Sequence, residues 1–318
     1  MRQLLTLLLF SFLLVSTLAS CVADRASSSR LATTSSCSTK EFAKSFLAYR
    51  NNSGSKELWE RARCHLGKPS GLPEAYSLQA EYIAERSKAQ PVVGYKVALG
   101  SVGAQKLLGA PNPVTGVLFS EALIASGSVL SKKQAQLIAV EADLLATVES
   151  VAINKAKTAG EVAQHIRSVS AYMEIPDLLL PMSNDMAARF VATNSGAYIG
   201  VVGNSTNSNK SKIGKERLMN SLAAMTVELR DANGTVLATS RGSSLMGHPY
   251  EAILFLMSRL HAQGEQLQAG DRISLGAYSK PIAINSLPES AAKEISVHYL
   301  GLVDQKDSKA LSVKVSFR

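Results

Sequence analysis

The chain has 318 residues, with 34 Lys and Arg against 25 Asp and Glu, and a formal net charge of +9. Hydrophobic residues make up 46% and charged residues 19%, which supports a sizeable core and excludes a disordered chain. The basic residues are dispersed except for Lys210, Lys212, Lys215 and Arg217, in a Ser/Asn-rich stretch that reads as a solvated loop, so no nucleic-acid partner is implied.

Met1-Arg2-Gln3 precedes an apolar run from Leu4 to Leu18, too short for a comfortable membrane span and suited to an export signal. It ends in Leu18-Ala19-Ser20-Cys21, which resembles the bacterial lipobox. Loss of residues 1–20 would leave Cys21 as a lipidated, palmitate-bearing first residue; an ordinary small-residue cleavage site is the alternative. Residues 21–38 are rich in Ser and Thr and read as a flexible tether. The expected location is extracytoplasmic, lipid-anchored on the periplasmic face of a bacterial membrane, and Val22 is compatible with the outer one. Cys37 and Cys64 then form an even pair, which in an oxidising compartment predicts a disulfide.

From 39 to 90 apolar residues recur at helical spacing, among them Phe42, Phe46 and Leu47, then Leu58, Trp59 and Ala62, then Leu78, Tyr82 and Ile83. Breaks at Asn51-Asn52-Ser53-Gly54 and around Pro69 divide this small helical cap. From 91 to 318 the texture changes to short Val- and Ile-rich runs: 92–99, 137–150, 197–202, 225–230, 236–240, 272–276 and 295–303. Asp231-Ala232-Asn233-Gly234 predicts a hairpin. Two helices are expected between strands, Ala159–Ser170 with Val162, Ile166 and Val169 on one face, and His248–Gln263.

Within the second run, Glu141 and Asp143 are two apart, so a strand turns both to one face and Val140, Ala142 and Leu144 to the other. Two ionised carboxylates in apolar surroundings require protonation, a Lys or Arg partner, or a metal ion. Hard divalent cations favour oxygen ligands of this kind. A second acidic pair, Glu174 and Asp177, brackets Pro176.

In order, Gly71-Leu72-Pro73-Glu74-Ala75-Tyr76, Val93-Gly94-Tyr95-Lys96-Val97, Gly116-Val117-Leu118-Phe119, Val140-Glu141-Ala142-Asp143, Glu174-Ile175-Pro176-Asp177, Asn194-Ser195-Gly196 and Gly247-His248-Pro249 resemble the 2-keto-4-pentenoate hydratase family of the fumarylacetoacetate hydrolase superfamily. The resemblance covers residue 71 to the end. It implies an α+β fold, a mixed β-sheet roll of the fumarylacetoacetate hydrolase type with a helical N-terminal cap. It also implies a hydratase, lyase or related C–C hydrolase or decarboxylase acting on a small 2-oxo or enol acid through Mg²⁺ or Mn²⁺. Carried over, the metal ligands fall on Glu141, Asp143 and Asp177. Lys96 becomes a catalytic and substrate-binding residue, Glu121 an acid/base candidate and Asn194 a substrate contact. The expected partners are the small acid, the membrane and further copies of the chain in a homo-oligomer.

The residues allow plainer roles. Lys96 can be an ordinary salt-bridge partner, His248 a helix-start residue, Glu174 an acceptor for backbone donors, and Asp177 or Asn194 a turn residue. Asp143 stands where the family has a second Glu, Leu178-Leu179 where it has Ser-Arg, and Leu275 where it has Ser or Thr before Gly276. These departures point to a more apolar substrate or to lost catalysis, and a non-catalytic ligand-binding or envelope-associated lipoprotein is the alternative function.

Overall fold

The computed structural model describes residues 39–52, 54–66, 69–178, 186–207, 212–302 and 311–318. The expected lipidation residue Cys21 and the tether lie outside these. Cys64 is exposed, and Cys37, its expected disulfide partner, lies outside the described residues.

Three helices come first: α1 (Thr39–Asn51), α2 (Lys56–Leu66) and α3 (Leu72–Ser87). Pro73 sits in the first turn of α3, where its missing N–H is not needed, and Glu74 folds back to accept the Ser70 N–H at 2.6 Å. Phe42, Phe46 and Tyr49 stack along one face of α1 at 5.5 and 6.1 Å between ring centres. With Trp59 and Tyr82 they share one buried cluster with Ala98, Val114, Val117 and Phe119, so the cap is packed on the first strand pair of the body.

The body continues β1 (Val92–Ala98), α4 (Val102–Leu108), β2 (Val114–Phe119), β3 (Leu123–Ala125), β4 (Val129–Leu130), β5 (Ala139–Val148), α5 (Ala159–Ala163), β6 (Ile166–Ile175), α6 (Ala187–Ala192) and β7 (Ile199–Asn207). It ends with α7 (Lys212–Ala224), β8 (Thr226–Arg230), β9 (Val236–Arg241), α8 (Glu251–His261), β10 (Arg272–Ser274), β11 (Ile282–Ala283), β12 (Glu294–Leu300) and β13 (Leu311–Phe317). One mixed sheet runs β2-β1-β10-β5-β6-β7-β3, with β11 also paired to β5, and a second runs β4-β13-β12-β8-β9. The α+β roll of mixed sheets with a helical cap, expected from the sequence, is the fold observed.

Alternation along β5 and β6 places the main core. Val140, Ala142, Leu144 and Ala146 of β5 and Val169, Ala171, Met173 and Ile175 of β6 belong to one buried cluster, which leaves the opposite face of the pair for Glu141, Asp143 and Glu174. Gly94 permits the close parallel approach of β1 to β10, because a Cβ there would lie 1.8 Å from the Arg272 carbonyl oxygen. The 231–234 hairpin forms as expected, with Asp231 Oδ1 accepting the Asn233 and Thr235 N–H groups at 2.9 and 2.8 Å.

Two expectations change. The helix expected over 159–170 stops at Ala163, capped by Thr158, and β6 begins at Ile166. Ile166 and Val169 fit helical spacing, yet they are β-branched, and β6 from Ile166 is enclosed between β5 and β7. The basic stretch expected as a solvated loop becomes helix from Lys212, and Lys215 is buried, paired with Glu149 and donating to the Gln164 carbonyl at 2.6 Å.

Candidate active site

Antiparallel pairing sets Glu141 of β5 directly opposite Glu174 of β6, where facing side chains stand about 5 Å apart and like charges repel. The counter-charge comes from β1. The ammonium of Lys96, only 2% exposed, contacts Glu174 Oε1 and donates to the Ser195 carbonyl at 2.9 Å. That carbonyl is aimed by a left-handed turn, with φ of 62° at Asn194 and 50° at Ser195, a backbone state that costs roughly 1–2 kcal/mol per residue. Gly116 of β2 lets the turn approach, since a Cβ there would meet the Asn194 carbonyl oxygen at 2.7 Å.

Asp143 lies deeper and is fully buried. Its Oδ2 accepts from the Ser274 hydroxyl, and its Oδ1 accepts from the Gly276 and Leu144 N–H groups at 2.9 and 2.5 Å. The shorter side chain is thus committed to protein donors, and Asp143 is absent from the cavity wall. Burial, then the charge of Glu174, pushes the Glu141 carboxyl up to about 8, against the pull of Lys96. The same two causes push Asp143 up to about 7, opposed by the Ser274 hydroxyl and the Leu144 N–H. Three carboxylates are gathered around one buried ammonium, and burial first, then the neighbouring negative charge, raises Glu141 and Asp143.

The cavity next to this cluster has a volume of about 510 Å³, and Lys96, Glu141, Glu174 and Asp177 all line it. Asp177 does not join the others as an expected third ligand. Its Oδ2 takes the Tyr49 hydroxyl and, at 3.4 Å, Arg50 Nη1, while its Oδ1 takes the Leu137 N–H at 3.2 Å. Arg50 lies against the rings of Phe46 and Tyr198 at 4.8 and 4.7 Å, so this ion pair clamps the cap to the strand end. Among the described residues no three acidic, His or Cys side chains are grouped to hold a metal ion, and the expected trio of Glu141, Asp143 and Asp177 is divided between two networks.

Two further candidates lie elsewhere. Glu121 follows the end of β2 in a short turn, is exposed and accepts from Gln90 Nε2 at 2.7 Å, outside the cavity. Asn194 clamps the backbone of Val117, accepting its N–H at 2.9 Å and donating to its carbonyl at 3.0 Å, and is absent from the cavity wall. His248 has the plainer role: it accepts the Tyr250 N–H at 3.0 Å and its other ring nitrogen lies 3.0 Å from the Met219 carbonyl.

Glu174, expected as an acceptor for backbone donors, is instead a member of the cluster. Tyr278 and Ser279, which no sequence motif marks, line the cavity with buried hydroxyls that have no hydrogen-bond partner among the described residues. An oxygen-only donor pair, Glu141 and Glu174, with surplus negative charge suits a hard divalent cation.

No family model matches the chain. Among curated proteins it is 26% identical over 214 residues to a 2-keto-4-pentenoate hydratase of Paraburkholderia xenovorans, spanning 67% of this chain and 76% of the relative. It is 22% identical over 231 residues to a 4-oxalocrotonate decarboxylase of Pseudomonas putida, spanning 72% and 82%. Among solved structures it superimposes on the 4-oxalocrotonate decarboxylase from Pseudomonas putida G7 complexed with calcium and acetate, with a TM-score of 0.67, 20% identity, and coverage of 88% of this chain and 97% of that one. The same decarboxylase complexed with magnesium and adipate aligns equally well, at 0.67. In sequence the chain is similar to 2-keto-4-pentenoate hydratases and 4-oxalocrotonate decarboxylases, and it shares the fold of the superimposed decarboxylase.

Proposed function

We propose that the protein is a metal-dependent hydratase or related lyase acting on a small 2-oxo or enol carboxylic acid at the Glu141–Glu174–Lys96 cluster. The observation that carries this is the facing pair Glu141 and Glu174, with one buried ammonium, at the wall of a 510 Å³ cavity. The relatives are a hydratase and a decarboxylase, and the superimposed decarboxylase holds calcium or magnesium together with a small carboxylic acid.

Glu141 and Glu174 would hold the cation. Asp143 would join them only by giving up Ser274 and Gly276, so here it stays behind them, held by those donors. When bound, a divalent ion such as Mg²⁺ or Mn²⁺ supplies electrophilic stabilisation of negative charge developing on the 2-oxo oxygen. The chain's own residues do the rest. Lys96, fixed by the Ser195 carbonyl, attracts the carboxylate of the acid. Tyr278 and Ser279 offer free hydroxyls to its oxygen atoms.

The same reading places the protein outside the cytoplasm, carried by the export signal and held to a membrane by lipidated Cys21. It is supported by the lipobox-like Leu18-Ala19-Ser20-Cys21. Among the described residues no helix is long and apolar enough to cross a membrane. Homo-oligomeric assembly is part of the proposal.

Turnover of a 2-hydroxydienoate and acylpyruvate panel with Mg²⁺ or Mn²⁺ tests the enzyme reading, with Lys96→Ala as control. Metal-dependent turnover lost in the variant supports it. Ligand binding without turnover indicates a binding protein on the same fold.

A further inference from the structure

Much of the cavity that reaches Lys96, Glu141 and Glu174 is walled by apolar side chains: Leu99, Leu107 and Leu108 beside and on α4, Leu178 after Asp177, and Met186 and Phe190 at α6. Leu107 is 43% exposed, so the apolar surface extends to where the cavity meets solvent. The charged lining offers little to a second acid group. Lys96 is already paired with Glu174, and Asp177 with Arg50. Lys280, the other cation among the lining residues, is exposed. A second carboxylate placed among the leucines would lose its hydration without a partner.

Resting on the acid-binding reading above, we infer that the substrate is a monocarboxylic 2-oxo or enol acid with an uncharged apolar tail longer than that of a five-carbon acid. The head sits at Lys96 and Glu141, and the tail lies along α4 towards Phe190. The volume and lining fit a ligand site that buries most of an amphipathic molecule, with few polar groups fixing its orientation. Each methylene of the tail taken out of water strengthens binding about fourfold.

The test is binding to the full chain by calorimetry and thermal shift in the presence of Mg²⁺, using pyruvate, 2-oxopentanoate, 2-oxooctanoate and the dicarboxylate 2-oxoadipate. Affinity is expected to rise from pyruvate to 2-oxooctanoate by about fourfold per methylene, with 2-oxoadipate weaker than 2-oxooctanoate. A Cβ at Gly103 meets nothing within 4 Å, and this residue lines the cavity on α4. Gly103→Leu therefore narrows the arm without displacing a neighbour, and it should remove the advantage of 2-oxooctanoate while leaving pyruvate as before. Leu107→Lys, at an exposed position, should turn the preference towards 2-oxoadipate. Equal affinity at every tail length, or tighter binding of 2-oxoadipate by the wild type, overturns the inference and leaves the acid site standing. No binding of any acid, pyruvate included, overturns the acid site and the inference with it.

Discussion

Glu141 and Glu174 stand directly opposite each other across β5 and β6, and the ammonium of Lys96 from β1 contacts the second of them. Two facing carboxylates and one cation leave the cluster anionic before Asp143 is counted. That imbalance is the electrostatic basis of the site.

Lys96→Met removes the cation and leaves buried carboxylates uncompensated. Loss of one partner from a buried pair destabilises by about 3 kcal/mol, and urea unfolding at pH 8 should register a loss of that order. At pH 5 the loss should be smaller, because the raised carboxyls take up protons instead.

Burial, then the charge of Glu174, pushes the Glu141 carboxyl up to about 8 in the folded protein from its ordinary 4.5. It binds its proton more tightly when folded, so its contribution is fully present below about pH 4.5 and is lost as the pH rises through 8. Without metal, the thermal midpoint should fall across this window. Glu141→Gln, neutral throughout, should flatten the fall, and an unchanged slope in the variant would count against the assigned environment.

Asp177→Asn tests whether Asp177 serves the metal or the cap. Its carboxylate is taken by Tyr49, Arg50 and the Leu137 N–H, so the variant should lose about 2–4 kcal/mol of stability with Arg50 left without its counter-ion. Tyr49→Phe should lose about 1 kcal/mol. Mg²⁺ affinity, read by calorimetry on folded protein, should stay within about twofold for Tyr49→Phe; a tenfold loss, or 1.4 kcal/mol, would return Asp177 to the metal.

Asn194→Ala removes two hydrogen bonds to Val117 and leaves Ala at a left-handed φ of 62°. The expected loss is about 2–3 kcal/mol, with KM affected through the shifted Ser195 carbonyl that orients Lys96. Glu121→Gln, at the exposed surface, should leave both stability and turnover unchanged.

The sequence made part of this site legible. Alternation along 139–148 placed Glu141 and Asp143 on one face, and the charge requirement called for a cation that the structure supplies as Lys96. Glu174 reads as an acceptor for backbone donors and not as a partner of Glu141, because Val162, Ile166 and Val169 imitate a helical stripe and hide the strand that leads to it. Once Ile166–Ile175 is a strand, antiparallel pairing with β5 sets Glu174 against Glu141. The fate of Asp177 depends on Tyr49 and Arg50, more than a hundred residues away in sequence, and no local pattern announces such a contact. Asn194 looked polar and available, yet the backbone of a neighbouring strand uses its amide on both sides.

The central claim is tested most directly by calorimetric titration of Mg²⁺ with pyruvate into wild type, Glu141→Gln, Glu174→Gln and Asp177→Asn, each first shown to be folded. The account predicts binding in wild type and Asp177→Asn and its loss in both glutamine variants. Undiminished binding in Glu174→Gln, or loss confined to Asp177→Asn, would contradict it.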